Sequence, residues 1–201
     1  MNKKSFLIII FLSFFTNAYA DLNGAEAYVN KTTQEIFKIT TQSKSVPVIR
    51  EELVEYIKSN IDIKWMSKFV LGKSWRKASD TQKNKFINLF EQYLIYNYAP
   101  KFQGYKNEKY KINKTTEIAP GKYISKISLI LSDSTNLLLD VFILEKDGDY
   151  KIVDVSGEGI SFAATQRAEF GSMIGMHGLD KFLVILEEKV KSLKENYIDA
   201  T

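Results

Sequence analysis

Cysteine is missing from all 201 positions. That excludes a disulfide framework, thiol catalysis and a cysteine-ligated metal, and it leaves no residue to carry a lipid anchor after an export leader. Histidine is almost as scarce: His177, in "GMHGLD", is the only one. A single histidine without cysteine cannot build a standard zinc site. No carboxylate-rich calcium loop is present either, since "DGD" at 147–149 is better explained as a hairpin turn. An excess of one charge is also lacking. The chain has 28 basic and 24 acidic side chains, a formal +4, with lysines scattered among acids. This balance carries no nucleic-acid footprint. It reads as a solvated lysine-rich surface, with weak attraction to anionic membranes left open. After Ala20 no apolar run is long enough for a transmembrane helix.

The first residues do contain a short apolar run. Lys3 and Lys4 precede "FLIIIFLSFF" at 6–15, and Ala18-Tyr19-Ala20 then gives an A-x-A pattern. The expectation is a secretory signal peptide over 1–20, cleaved after Ala20, followed by one exported domain over 21–201. A membrane anchor is the competing reading, but the run is too short to span a bilayer comfortably. With 45% hydrophobic residues and 13% aromatics, the chain can build a real core.

The order along the chain is helices, then strands, then helices. Residues 24–39 read as a helix with Ala25, Val29, Ile36 and Phe37 toward one side, broken by "TQSKS" at 41–45. Pro47 suits the first turn of a second helix reaching about Asn60. Asp62 is a candidate N-cap for a short third helix that stops at Gly72. Ser79 and Gln82 fit a capping box, after which Phe86, Leu89, Phe90, Tyr93, Leu94 and Tyr98 recur at helical spacing until Pro100. From Glu108 the period falls to two. Tyr110, Ile112, Thr116 and Ile118 alternate with polar residues, and Tyr123, Ile127, Leu129 and Leu131 share a face of the next strand. Turns at Pro120-Gly121, Ser132–Thr135 and Asp147-Gly148 complete a four-stranded antiparallel meander. Helices then follow over 162–174 and 179–195, the last with an apolar stripe of Leu179, Phe182, Leu183, Leu186, Val190 and Leu193. The predicted class is α+β.

"NLLLDVFIL" at 136–144 departs from simple alternation. Leu137, Leu139, Val141 and Ile143 point one way, while Leu138, Phe142 and Leu144 point the other, with Asp140 among them. A strand that is apolar on both sides needs cover on both sides. A curled sheet partly closed by helices would enclose a cavity and leave one face for something other than protein. Alternatively, the flanking helices fill both faces. Asp140, if buried, needs a partner, for which Lys126 and Arg167 are candidates.

Catalytic patterns are fragmentary. "GISFA" at 159–163 half-resembles a nucleophile elbow, with Ser161 in the serine position and Glu169 and His177 following, but it lacks the last glycine. Ser161 is more simply a helix N-cap. "GEGISF" is likewise a partial dinucleotide fingerprint without its βαβ context, although amides at that helix start could hold an anion. Asp140 and Asp154 are the only acids with any case as catalytic groups. No catalytic or metal-ligating residue is assigned.

Several pieces together resemble one family. "IDIKWMSKFVLGKSWRKAS" is followed by Gln82, Phe86, Phe90, Tyr93, Leu94 and Tyr98, then by "YKIVDV" at 150–155, "EGIS" at 158–161, Arg167, Phe170 and "GLD" at 178–180. In order and spacing this is similar to the MlaC, or toluene-tolerance, family of periplasmic phospholipid-binding proteins. Two positions depart from the family pattern. Ser74 stands before Trp75 where an aromatic pair is common, and Tyr150 stands where Trp is common.

The resemblance implies a curved four-stranded antiparallel sheet with helices before and after it, NTF2-like in shape, around an apolar pocket. It implies phospholipid as bound ligand and no other cofactor. Its implied partners are an inner-membrane ABC transporter with an MCE-domain subunit and an outer-membrane lipoprotein–porin complex, and its implied location is the periplasm. On that reading the lipid-binding wall draws on Tyr110, Ile112, Ile127, Leu129, Leu139, Val141 and Ile143 from the sheet. Phe69, Val70, Phe90 and Leu94 would join from helices, with Trp65, Met66 and Met173 ranked second. Each of these residues reads equally well as plain core, because a slip of one register reverses every face assignment. The rival classes are an NTF2-like exported enzyme and a non-lipid interaction protein.

Overall fold

The computed structural model describes residues 16–41, 45–102, 108–131 and 133–199. The apolar run at 6–15 and residues 42–44 of the expected helix break lie outside them. Five helices come first: α1 (Thr16–Thr41), α2 (Val46–Asn60), α3 (Ile63–Leu71), α4 (Lys73–Lys77) and α5 (Asp80–Phe102). The strands β1 (Lys109–Ala119), β2 (Lys122–Ile130), β3 (Asn136–Lys146), β4 (Asp149–Gly157) and β5 (Ile160–Ser161) follow. Helices α6 (Phe162–His177) and α7 (Leu179–Asp199) close the chain.

Local chemistry accounts for most helix ends. Pro47 lies in the first turn of α2, where its missing N–H removes no helical bond. The Asp62 carboxylate accepts from the Trp65 amide at 2.8 Å and caps α3. Gly72 ends that helix at φ +54°. A Cβ there would also meet the end of the flexible Arg167 side chain at about 3.0 Å, but it is the positive φ that calls for glycine. Ser79 Oγ accepts from the Gln82 amide and Gln82 Oε1 accepts from the Ser79 amide, a complete capping box for α5. Pro100 does not end that helix, which runs on to Phe102. The ring takes away the N–H that would bond the Tyr96 carbonyl and crowds that preceding turn, yet the next two residues keep helical geometry. Helix α4, five residues long, is too short to show a period.

The sheet is antiparallel, unclosed and ordered β1-β2-β3-β4-β5. It has five strands where four were expected. The fifth is a two-residue pairing of Ile160 and Ser161 with Gly157 and Ser156, too short for alternation to register. Asp147 and Gly148 take φ values of +56° and +82°, as the tight β3–β4 hairpin turn demands.

Register sorts the strands into two faces. Tyr110 pairs with Leu129 and Ile112 with Ile127. Tyr123 pairs with Ile143, Ser125 with Val141 and Ile127 with Leu139. These residues share the inner face. A bulge between Ile112 and Lys114 then inserts one residue and reverses the alternation of β1. Thr115 therefore turns inward and is buried, while Thr116 and Ile118 are exposed. The expectation that Thr116 and Ile118 continue the face of Tyr110 and Ile112 is corrected on this point.

Among the described residues, three apolar clusters hold the fold together. The largest is wholly helical and centres on Phe86, Phe90, Phe170, Phe182 and Tyr93, with Val70, Leu94, Leu183, Leu186 and Val190 around them. A second lies between α1 and the inner sheet face: Ala25, Val29, Tyr123, Ile127 and Ile143. A small third, Ile39, Leu53, Ala99 and Tyr197, ties α1, α2, α5 and α7 together.

Candidate functional site

The inner sheet face is covered by one helix. α1 is built for close approach: Ala25, Val29 and Thr32 are buried at spacings of four and three. Just before Ala25, Gly24 packs so tightly against the Tyr150 side chain of β4 that a Cβ would overlap its hydroxyl. The cover is complete over Tyr123, Ser125, Ile127 and Ile143 and incomplete at the margins. Leu137, Leu139, Val141 and Val155 of the same face are only half-buried, as are Tyr110 and Ile112 on the edge strand. Aromatic contacts rim the seam. Phe37 sits over Tyr110 at 4.6 Å, Tyr28 stacks on Tyr150 at 5.8 Å, and Tyr123 meets Tyr150 at 6.1 Å. The Tyr28 hydroxyl donates to the Asn60 carbonyl at 3.0 Å. Burial, more than any neighbouring charge, raises the Tyr28 pKa well above its ordinary value and keeps the seam uncharged.

Among the described residues two solvent-open clefts stand out, one beside this interface and one away from it, at the outer edge of β3 and β4. One, about 440 Å³, lies along α1 and β1 and includes Tyr110, Ile112, Thr115, Glu26 and Asn30 in its walls. The other, about 480 Å³, lies where Ile61 and Ile63 face Leu144, Asp149 and Lys151. Both have mixed polar and apolar linings.

The predicted wall residues fall into two groups. Tyr110, Ile112, Ile127, Leu139, Val141 and Ile143 come together in the α1–sheet cluster. Leu129 is buried on the same face, opposite Tyr110. Val70, Phe90 and Leu94 lie instead inside the helical core. Phe69 is half-buried at that core's rim, stacked on Trp65 at 5.5 Å with the Arg167 guanidinium 5.0 Å above its ring. Sheet and helix candidates therefore do not form one continuous wall. α5 turns its apolar stripe toward α7, whose own stripe of Phe182, Leu183, Leu186 and Val190 meets it. The residues that do face the sheet, Leu22, Ala25, Tyr28 and Val29, belong to α1. The small pair Gly24-Ala25 was the available signal, because only small side chains let a helix lie so close to a sheet.

The fragmentary catalytic patterns resolve into structure. The Ser161 hydroxyl donates to the Asp154 carboxylate and accepts from the Ala164 amide, while Asp154 also accepts from the Ala163 amide at 2.9 Å. Ser161 is the N-cap of α6. The Ala163 and Ala164 amides at this helix start are already bonded to the chain's own oxygens rather than free for an external anion. His177 closes α6, exposed to solvent. Asp140 pairs with Lys126 at 3.2 Å on the outer face of the sheet. Among the described residues no three His, Cys, Asp or Glu side chains group as a metal site, and no helix is long and apolar enough to cross a membrane.

Together these features define an α+β protein with an aromatic helical core and an unclosed sheet, one face of which a single helix covers incompletely. Comparison with known proteins makes the assignment specific. A family profile described as "MlaC protein" matches residues 30–188, and the chain belongs to that family. It is 21% identical over 145 residues to the intermembrane phospholipid transport system binding protein MlaC of Haemophilus influenzae, a match covering 70% of this chain and 66% of the relative, just under two thirds. Its fold is similar to that of a phospholipid-binding protein from Ralstonia solanacearum solved in complex with a phospholipid. The TM-score is 0.73 at 17% identity, covering 85% of this chain and 98% of the other.

Proposed function

We propose that this chain is a periplasmic phospholipid carrier that shelters acyl tails against the inner face of its sheet. Membership of the MlaC family supports the reading. The observation that carries it is the half-buried apolar margin of that face: Leu137, Leu139, Val141 and Val155 have aliphatic surface that α1 leaves uncovered. Its implied partners are an inner-membrane ABC transporter with an MCE-domain subunit and an outer-membrane lipoprotein–porin complex. The leader over 1–20 would deliver it to the space between them.

Energetics suit carriage. Burying one CH₂ away from water stabilises by about 0.8 kcal/mol. About thirty such groups would give on the order of 24 kcal/mol, beyond the usual ceiling for noncovalent binding. Water, however, is the wrong reference. Tails leave one apolar phase, the bilayer, and return to another, so the net transfer free energy is small and a docked partner needs only a modest bias to load or unload them. Such a device needs an apolar face and a movable cover. α1, with one glycine and small residues against the sheet, is the element suited to move.

The test is native mass spectrometry of protein purified from the periplasm, with lipid analysis of an organic extract. Wild-type protein is expected to carry phospholipid. Leu139→Asp and Val141→Lys are expected to lose it while keeping their helical circular dichroism, because the helical core does not include either residue. Wild-type lipid content in both variants would refute this wall. An extract with no phospholipid from wild-type protein would refute the carrier reading.

A further inference from the structure

The outer face of the sheet carries a charge pattern that lipid carriage does not use. Register places Lys109, Lys111, Lys114, Lys122, Lys126 and Lys146 on that face of β1–β3, and all six are exposed. Asp140 is the only acid among them, paired with Lys126 at 3.2 Å. The other acids of these strands, Glu117 and Glu145, take inner-face positions in the register and accept from turn amides, Gly121 and Gly148. Asp149 of β4 lies opposite Lys146; against these two acids the six cations leave an excess equal to the formal +4 of the whole chain. Lys114 lies directly opposite Lys126, a like-charge pairing that works against the sheet.

Lysines on an edge strand have an ordinary purpose, since they deter edge-to-edge pairing. That accounts for β1 but not for Lys122 and Lys126, because β2 is an interior strand. Nor does it account for the apolar side chains among them. Leu138 is 51% exposed and Ile130 42% exposed. They are diagonal neighbours, flanked through Ser128 by Lys111 and directly by Lys109. Strands of 11, 9 and 11 residues make this a broad, shallow surface. The clefts at its margins take in only Lys114 and Lys146; Lys109, Lys111, Lys122 and Lys126 stand outside both, on the open face. All six cations are lysine, whose long apolar stem and compact charge suit a headgroup layer more than a bidentate partner.

We infer that the outer face of β1–β3 docks on an anionic membrane surface, with the lysines over phosphate headgroups and Leu138 and Ile130 entering the interface between them. The inference goes beyond the carrier reading. It concerns where the protein rests, and a chain that carried no lipid could still dock this way.

The test is flotation of the full chain with vesicles. Binding is expected to phosphatidylcholine vesicles containing phosphatidylglycerol, not to pure phosphatidylcholine, and to weaken as salt rises. Lys111→Gln, Lys114→Gln and Lys122→Gln together are expected to weaken it roughly tenfold to a hundredfold. Lys181→Gln, Lys189→Gln and Lys191→Gln on α7 make the same charge change elsewhere and are expected to leave binding near the wild-type level. Leu138→Ser is expected to weaken binding a few-fold without altering its salt dependence. Equal binding to both vesicle types, or equal loss in both triple variants, would overturn the docking face. Wild-type protein that ignores anionic vesicles would also overturn it, and would make an acidic protein surface the occupant to seek.

Discussion

The helical core and the inner sheet face are both apolar, yet they are finished differently. In the core, Phe86, Phe90, Phe170 and Phe182 contact one another at 5.1 to 6.2 Å between ring centres, and no part of Phe86 reaches solvent. Five helices contribute, and each apolar stripe finds another. The sheet face has a single covering helix. Its centre is sealed and its margin is half-open. A surface closed from every side can contribute stability but cannot exchange its contents. One closed from a single side can be uncovered by moving one element while the rest stays folded. The difference separates the part of the molecule that holds the fold from the part available to a ligand.

Removing a ring from the closed region should have the largest effect. Phe86→Ala is expected to destabilise the protein by about 3–5 kcal/mol, through lost burial and the cavity left behind, as a fall in the urea midpoint. A loss confined to lipid content, with stability unchanged, would break the division between the two regions. A smaller effect is expected at the cover. Gly24→Ala places a methyl group against Tyr150, an overlap that costs about 1–3 kcal/mol and that the roughly 1 kcal/mol gain in helix propensity only partly offsets. Hydrogen exchange is expected to quicken in α1 and not in α5 or α7, and Tyr150→Leu is expected to relieve the effect. Uniform quickening would mean that α1 does not open separately.

The smallest effect concerns pH. Burial first, then the nearby Tyr98 and Glu169, pushes Tyr93 from the ordinary 10.0 up to about 12. Between these values the folded state holds a proton that the unfolded state has released. This contribution to stability is therefore intact below pH 10 and is lost as pH rises toward about 12. Tyr93→Phe is expected to make the alkaline fall in stability shallower. An unchanged slope would show that Tyr93 ionises without opening the helical core.

Much of this was legible in the chain. Asp62 and the Ser79–Gln82 box each act through a neighbour three residues away, so their meaning does not depend on the rest of the fold; Gly72 is legible as a helix stop from its backbone, though its contact with Arg167 is not. The hairpin at Asp147-Gly148 and the shared face of Leu139, Val141 and Ile143 are legible for the same reason. The reversal in β1 was not, because a bulge is one inserted residue that leaves composition and average period almost unchanged. The packing of Phe90 and Leu94 into the helical core was not legible either, for a different cause. A helical stripe shows that a face is buried but not which partner buries it.

The sequence by itself determined the α+β class, most element ends, the capping chemistry and the family, because these rest on local geometry and on the order of residues along the chain. Tertiary structure alone decided that α5 faces α7, that α1 is the cover of the sheet, and that six scattered lysines converge on one face. Those outcomes depend on strand register and on competition among apolar faces for partners, which involve residues far apart in the chain and leave no periodic trace within any one segment.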